Sequence, residues 1–209
     1  MNKKVFAFDI DGTILNSNGN IVPETVVALK EAVAKGHIAT LCSGRPYFDM
    51  LDIVEQGQGV FDYMICNNGA YFYDLKINKA FITKEVDKEV ALAIFELEEK
   101  ITQVSLRATN YCDKFSHQAD IHVAGEVYLD VNPLDTSKLT GINDLGQYIG
   151  LSAKDFVAFG DSGNDLQMLK GAGLGISMGN GTAQAKEAAQ IVIGDNNSTA
   201  IAKKIRELI

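Results

Sequence analysis

Apolar residues in this chain fall in short runs, separated by stretches where they recur at helical spacing. The run Lys4-Val5-Phe6-Ala7-Phe8 has the length of a buried strand. Pro23 then opens a helical pattern through Val26, Val27, Leu29, Ala32 and Val33, which Gly36 ends. A second strand is predicted over residues 37–42, a helix from Pro46 to about Gln56, and a third strand over 62–66. The same alternation returns near the C-terminus, with helices over 137–148, 164–170, 182–189 and 198–208 and strands over 156–159, 173–177 and 190–193. Strand-helix alternation of this kind implies a parallel sheet covered on both faces.

The middle reads differently. Short alternating stretches at 71–73, 79–82, 103–106 and 125–131 surround one predicted helix over 87–100. That is an α+β pattern interrupting an α/β one. The expected architecture is therefore a doubly wound, Rossmann-like parallel-sheet core built from residues 1–70 and 136–209. A small α+β domain over 71–135 is inserted into it.

Composition narrows the function. The 209 residues are 46% hydrophobic, enough for one good core with a small appended module. No apolar run is long enough to span a bilayer, and the short stretch before Asp9 predicts no signal peptide. A cytoplasmic protein without membrane partners is expected. Cys42, Cys66 and Cys112 are odd in number and far apart, which disfavours a disulfide framework or a zinc site. With a net charge of −8 and no basic stripe, nucleic acid is not an expected partner. A phosphorylated small molecule remains open, provided a metal, a lysine or helix N-termini offset its charge locally.

Four groups of residues sit at predicted strand ends, where an α/β sheet binds its ligands. Asp9-Ile10-Asp11-Gly12-Thr13 places two carboxylates just beyond the first strand. By itself this is either a catalytic pair or a polar turn. Gly160-Asp161-Ser162-Gly163-Asn164-Asp165 follows another strand and is either a helix cap or a second acidic cluster. Carboxylates converging in one crevice repel one another unless a cation lies between them, and such hard oxygen donors suit Mg²⁺. Ser43 and Gly44, opening the turn before Pro46, form an anion-binding corner or a simple cap. Lys138 is a surface charge unless phosphate nearby needs neutralising. Asn67-Asn68-Gly69-Ala70 is a turn into the insert or a lining of the substrate entrance.

The order Asp-x-Asp-Gly-Thr, Ser-Gly-Arg, Lys, Gly-Asp-x-x-Asn-Asp resembles the haloacid dehalogenase superfamily of phosphohydrolases. Asn68-Gly69-Ala70 and the position of the insert resemble its Cof-like branch with a type-two cap. The resemblance covers nearly the whole chain. It implies a Mg²⁺-dependent phosphatase of small metabolites, sugar phosphates among them. Asp9 would be the nucleophile. Asp11 would be the general acid and base, keeping its proton through burial and acidic neighbours, and would touch the metal through its backbone carbonyl. Asp161 would be a further Mg²⁺ ligand, with Asp165 supporting the metal shell. Ser43, the Gly44 amide, Lys138 and Asn164 would hold phosphate.

The sequence departs from the family pattern in two ways. Leu139 stands where a small residue commonly follows the lysine, and the cap is short, so that the site would either admit larger substrates or be closed by a partner subunit in a homo-oligomer. Two alternative readings are a phosphomutase and a phospho-accepting signalling module. Receiver modules lack the second carboxylate and the insert.

Overall fold

A strand whose neighbouring side chains are all apolar must be covered on both faces, and β1 (Val5–Phe8) is buried at every position. Alternation splits it between two cores. Phe6 and Phe8 pack with Leu29 of α1 (Pro23–Ala34), Ile53 of α2 (Leu51–Gln56) and Ile205 of α6 (Ala200–Leu208). Val5 and Ala7 face Ile142 and Leu145 of α3 (Lys138–Ile149) and Met168 of α4 (Leu166–Gly171) on the other side. The computed structural model describes residues 3–85, 89, 119–124 and 128–209.

The remaining strands of the main sheet are β2 (Ile38–Cys42), β3 (Tyr63–Cys66), β4 (Tyr71–Asp74), β5 (Lys79–Ile82), β8 (Phe156–Gly160), β9 (Leu174–Ser177) and β10 (Ile191–Val192). Their order is β10-β9-β8-β1-β2-β3-β4-β5. All neighbours from β10 to β3 run parallel, while β4 and β5 return antiparallel. The sheet is thus the expected doubly covered α/β core. A short helix α5 (Ala183–Ala188) packs Ala185 and Ala188 against Leu169. A separate hairpin pairs β6 (Ala119–Ala124) with β7 (Tyr128–Pro133).

One expectation needs correcting. The stretches at 71–73 and 79–82, read as part of the insert, are hydrogen-bonded strands of the main sheet. Short alternating strands look alike whichever sheet they join, so the edge of this sheet lies beyond the boundary drawn at residue 70. The hairpin also begins earlier than the expected strand over 125–131. The expected helix over 87–100, the strand over 103–106 and Cys112 lie outside the described residues, apart from Glu89, which is helical. Cys42 and Cys66 are free and buried, as expected of core residues. No helix among the described residues is long and apolar enough to cross a membrane.

The chain's departure from β5 and its return before α3 are tied together. Thr83 and Lys84 donate their backbone N–H groups to the Ala70 carbonyl at 3.1 and 3.0 Å. The Lys84 ammonium donates to the carbonyls of Leu134 and Asp135.

Candidate active site

The strand order brings four carboxyl-terminal ends side by side: β8, β1, β2 and β3. Asp9 follows β1 and is therefore flanked by Asp161 after β8 and Ser43 after β2. Its backbone N–H still donates to the Phe159 carbonyl at 3.0 Å, so the strand pairing carries the residue to the crevice mouth. Its side chain is buried. The chain then turns sharply through residues 10–14, with Gly12 at φ +79°. Thr13 is inside this turn and donates its hydroxyl to Asp161 Oδ1 at 3.0 Å.

Lys138 is the first residue of α3. Ser137 caps that helix, accepting from the Thr140 N–H at 3.2 Å, while Thr140 Oγ1 accepts from the Ser137 N–H at 3.0 Å. The lysine is wholly buried and reaches Asp9 Oδ1 at 2.5 Å and Asp165 Oδ1 at 2.6 Å. Far from being a surface charge, it is the cationic centre of the site. Leu139, the departure noted in the sequence, packs toward Gly171, where any side chain would collide with it. The close approach beside Lys138 is supplied instead by Gly141 and Gly69, whose backbones are nearly in contact.

Asp165 is fully buried and spends its second oxygen on structure. Oδ2 accepts the backbone N–H groups of Asp161 and Ser162, both at 2.9 Å. This carboxylate therefore orients both Lys138 and the loop that carries Asp161. One carboxylate oxygen each from Asp9, Asp161 and Asp165 lie within 4.8 Å of one another. Burial first, and then the charge of Asp165, push the Asp9 carboxyl up to about 8, although Lys138 opposes the rise. Burial would lower the Lys138 ammonium, but Asp9 and Asp165 outweigh it and hold it charged. Asp161 is likewise raised, chiefly by burial. Three clustered carboxyls with one ammonium leave an excess of negative charge, and a hard divalent cation fits that donor set.

Asp11 is placed differently from expectation. Its side chain is 66% exposed and forms a two-pronged ion pair with Arg45, at 2.6 Å from Nη2 to Oδ1 and 3.1 Å from Nε to Oδ2. The burial expected to keep it protonated is absent, and its carboxylate stands outside the acidic cluster. Only its backbone was expected to touch a metal. Ser43 is buried and its Oγ accepts from the Arg45 N–H at 3.2 Å, while Gly44 is half-buried. Asn164 donates to Asn68 at 3.3 Å. Sequence reasoning gave no role to Thr13 or Arg45, although both lie within the quoted motifs, and it left Asn68 undecided.

Gly12 gives a direct test of this geometry. A Cβ there would lie 2.6 Å from Asp161 Oδ2, on a backbone that L side chains rarely adopt. Gly12→Ala is expected to displace Asp161 and, if the three carboxylates hold a divalent cation, to weaken its binding by about tenfold or more, the scale of a disturbed ligand shell. Calorimetric titration with Mg²⁺ would check this, and an unchanged affinity would show that Asp161 does not hold the ion.

Residues 6–110 and 91–205 match the family model described as haloacid dehalogenase-like hydrolase. The chain is 29% identical to phosphoglycolate phosphatase of Methanosarcina acetivorans, over 92% of this chain and 90% of that protein. It is 26% identical to HMP-PP phosphatase of Serratia proteamaculans, over 88% and 86% of the two chains. A crystal structure of a haloacid dehalogenase-like hydrolase from Bacteroides thetaiotaomicron shares the fold, with a TM-score of 0.88 over the full length of both chains at 19% identity.

Proposed function

This chain belongs to the haloacid dehalogenase-like hydrolases and is an enzyme of the phosphatase kind; from that premise we propose that it hydrolyses phosphate monoesters of small metabolites through a phospho-aspartyl intermediate on Asp9. The observation that carries the proposal is the buried Lys138 ammonium held between Asp9 and Asp165, with Asp161 beside them. A carboxylate approaches an anionic phosphoryl group only where fixed positive charge offsets the repulsion.

An oxygen of Asp9 attacks phosphorus, and the bond to the leaving oxygen breaks. Asp11, once its side chain leaves Arg45 and turns into the crevice, supplies the proton to that oxygen. Water, giving its proton to Asp11, then attacks the phosphoryl group, and the bond to Asp9 breaks to release orthophosphate. Dividing a slow hydrolysis in this way replaces one high barrier by two lower ones. Asp9 and Asp161, with Asp165 behind them, would hold Mg²⁺, which supplies charge neutralisation at the transferring group. Lys138, Ser43, the Gly44 amide and Asn164 orient the phosphoryl oxygens. Sugar phosphates and comparably small phosphorylated acids are the first substrates to test.

Release of orthophosphate from a panel of phosphorylated metabolites, with and without a chelator, tests the proposal. Turnover should fall to background in the chelator and return with added Mg²⁺. Isomerised sugar phosphate without free phosphate would show a mutase instead. Hydrolysis that survives the chelator would remove Mg²⁺ from the scheme.

A further inference from the structure

We infer that Asn68 is a positioning residue whose side chain sets Asn164, and whose backbone sets Ser43, for phosphate binding; the inference rests on the phosphatase reading above. Asn68 stands in the turn between β3 and β4, and three consecutive residues there have left-handed backbone: Asn67 at φ 47°, Asn68 at 51° and Gly69 at 101°. Left-handed conformations in non-glycine residues persist where the surroundings over-determine them, and they concentrate at functional sites. Here the turn touches three catalytic elements at once. The Asn67 and Asn68 N–H groups donate to the carbonyls of Arg45 and Ser43, at 3.1 and 3.0 Å. Gly69 packs so closely on the Ser137 carbonyl and the Gly141 N–H that no side chain would fit, which fixes the turn against the helix end that carries Lys138. The Asn68 side chain then accepts from Asn164 Nδ2 at 3.3 Å.

The other end of that amide distinguishes positioning from architecture. Asn68 is 3% exposed, yet its Nδ2 donor has no partner among the described residues. An asparagine kept to stabilise a turn would spend both ends, because an orphaned buried donor costs free energy. Among the described residues, this one retains the cost and gives its oxygen to Asn164. Removing the side chain should therefore leave stability intact, or raise it, while loosening the grip on phosphate.

Asn68→Gly tests this, since glycine keeps the left-handed backbone and the N–H to Ser43 while deleting the contact with Asn164. Steady-state kinetics with p-nitrophenyl phosphate, competitive inhibition by orthophosphate and thermal melts would be measured on wild type, Asn68→Gly, Asn164→Ala and the double variant. The expected result is a KM and an orthophosphate inhibition constant raised about tenfold, the scale of one lost hydrogen-bonding anchor. The melting temperature should not fall, kcat should change by less than about threefold, and the double variant should be no worse than Asn164→Ala alone. An unchanged inhibition constant in an active background, a lowered melting temperature that accounts for the loss, or additive effects in the double variant would each overturn the inference. A wild-type protein that neither releases nor binds phosphate would overturn the phosphatase reading, and this inference with it.

Discussion

Lys138→Met is expected to destabilise the protein by about 3–5 kcal/mol and to abolish turnover, because it removes the ammonium that pairs with Asp9 and Asp165 in a buried carboxylate cluster. The magnitude follows from what is left behind. Asp9 Oδ1 and Asp165 Oδ1 both converge on the lysine Nζ, in a site closed to solvent at Lys138 and Asp165. Without the ammonium, at least one of the two must take up a proton or remain an uncompensated charge. Methionine matches the length of the lysine stem, so lost packing contributes little. Urea denaturation would measure the change, and added Mg²⁺ should recover part of the stability by replacing some of the missing positive charge. Wild-type stability in the absence of divalent cations would contradict the charge balance described for this site.

Asp9→Asn should reduce phosphate release by on the order of 10³-fold or more, the scale seen when a covalent nucleophile is removed. The fold should survive. Burial already holds the Asp9 carboxyl well above its usual range in the cation-free protein, so a neutral amide of the same shape is tolerated there, and Lys138 keeps Asp165. Asparagine retains the shape and one acceptor oxygen but cannot form the acyl phosphate. Kinetics with p-nitrophenyl phosphate, paired with a thermal melt, separate chemistry from folding. Substantial turnover by a folded variant would sink the nucleophile assignment.

Much of this was legible in the sequence. The strands at 4–8, 37–42, 62–66 and 156–159 announce themselves as short apolar runs because both faces of the sheet are covered, and the motifs fall where those runs stop. Parallel pairing then dictates that Asp9, Ser43 and Asp161 share one edge. What the sequence hid depends on distances across the fold. Periodicity cannot tell which sheet Tyr71–Ile82 joins, because strand alternation is the same on either. It cannot show that Asp165 is consumed by two backbone N–H groups and Lys138, nor that Lys138, so ordinary in its local context, is wholly buried. Burial is expected of Asp11 because the general-acid role implied by the family resemblance requires it to keep a proton. The turn at Gly12 sends its side chain outward to Arg45 instead.

The knot that joins Thr83 and Lys84 to Ala70 and to the carbonyls of Leu134 and Asp135 has an evolutionary consequence. It brings the two ends of the intervening segment together by contacts belonging to the scaffold, so the segment's own length matters little to folding. Closing a loop of doubled length costs only about 0.6 kcal/mol more. Lineages can therefore lengthen, shorten or exchange what lies between these anchor points without disturbing the sheet whose strand ends carry Asp9, Ser43 and Asp161.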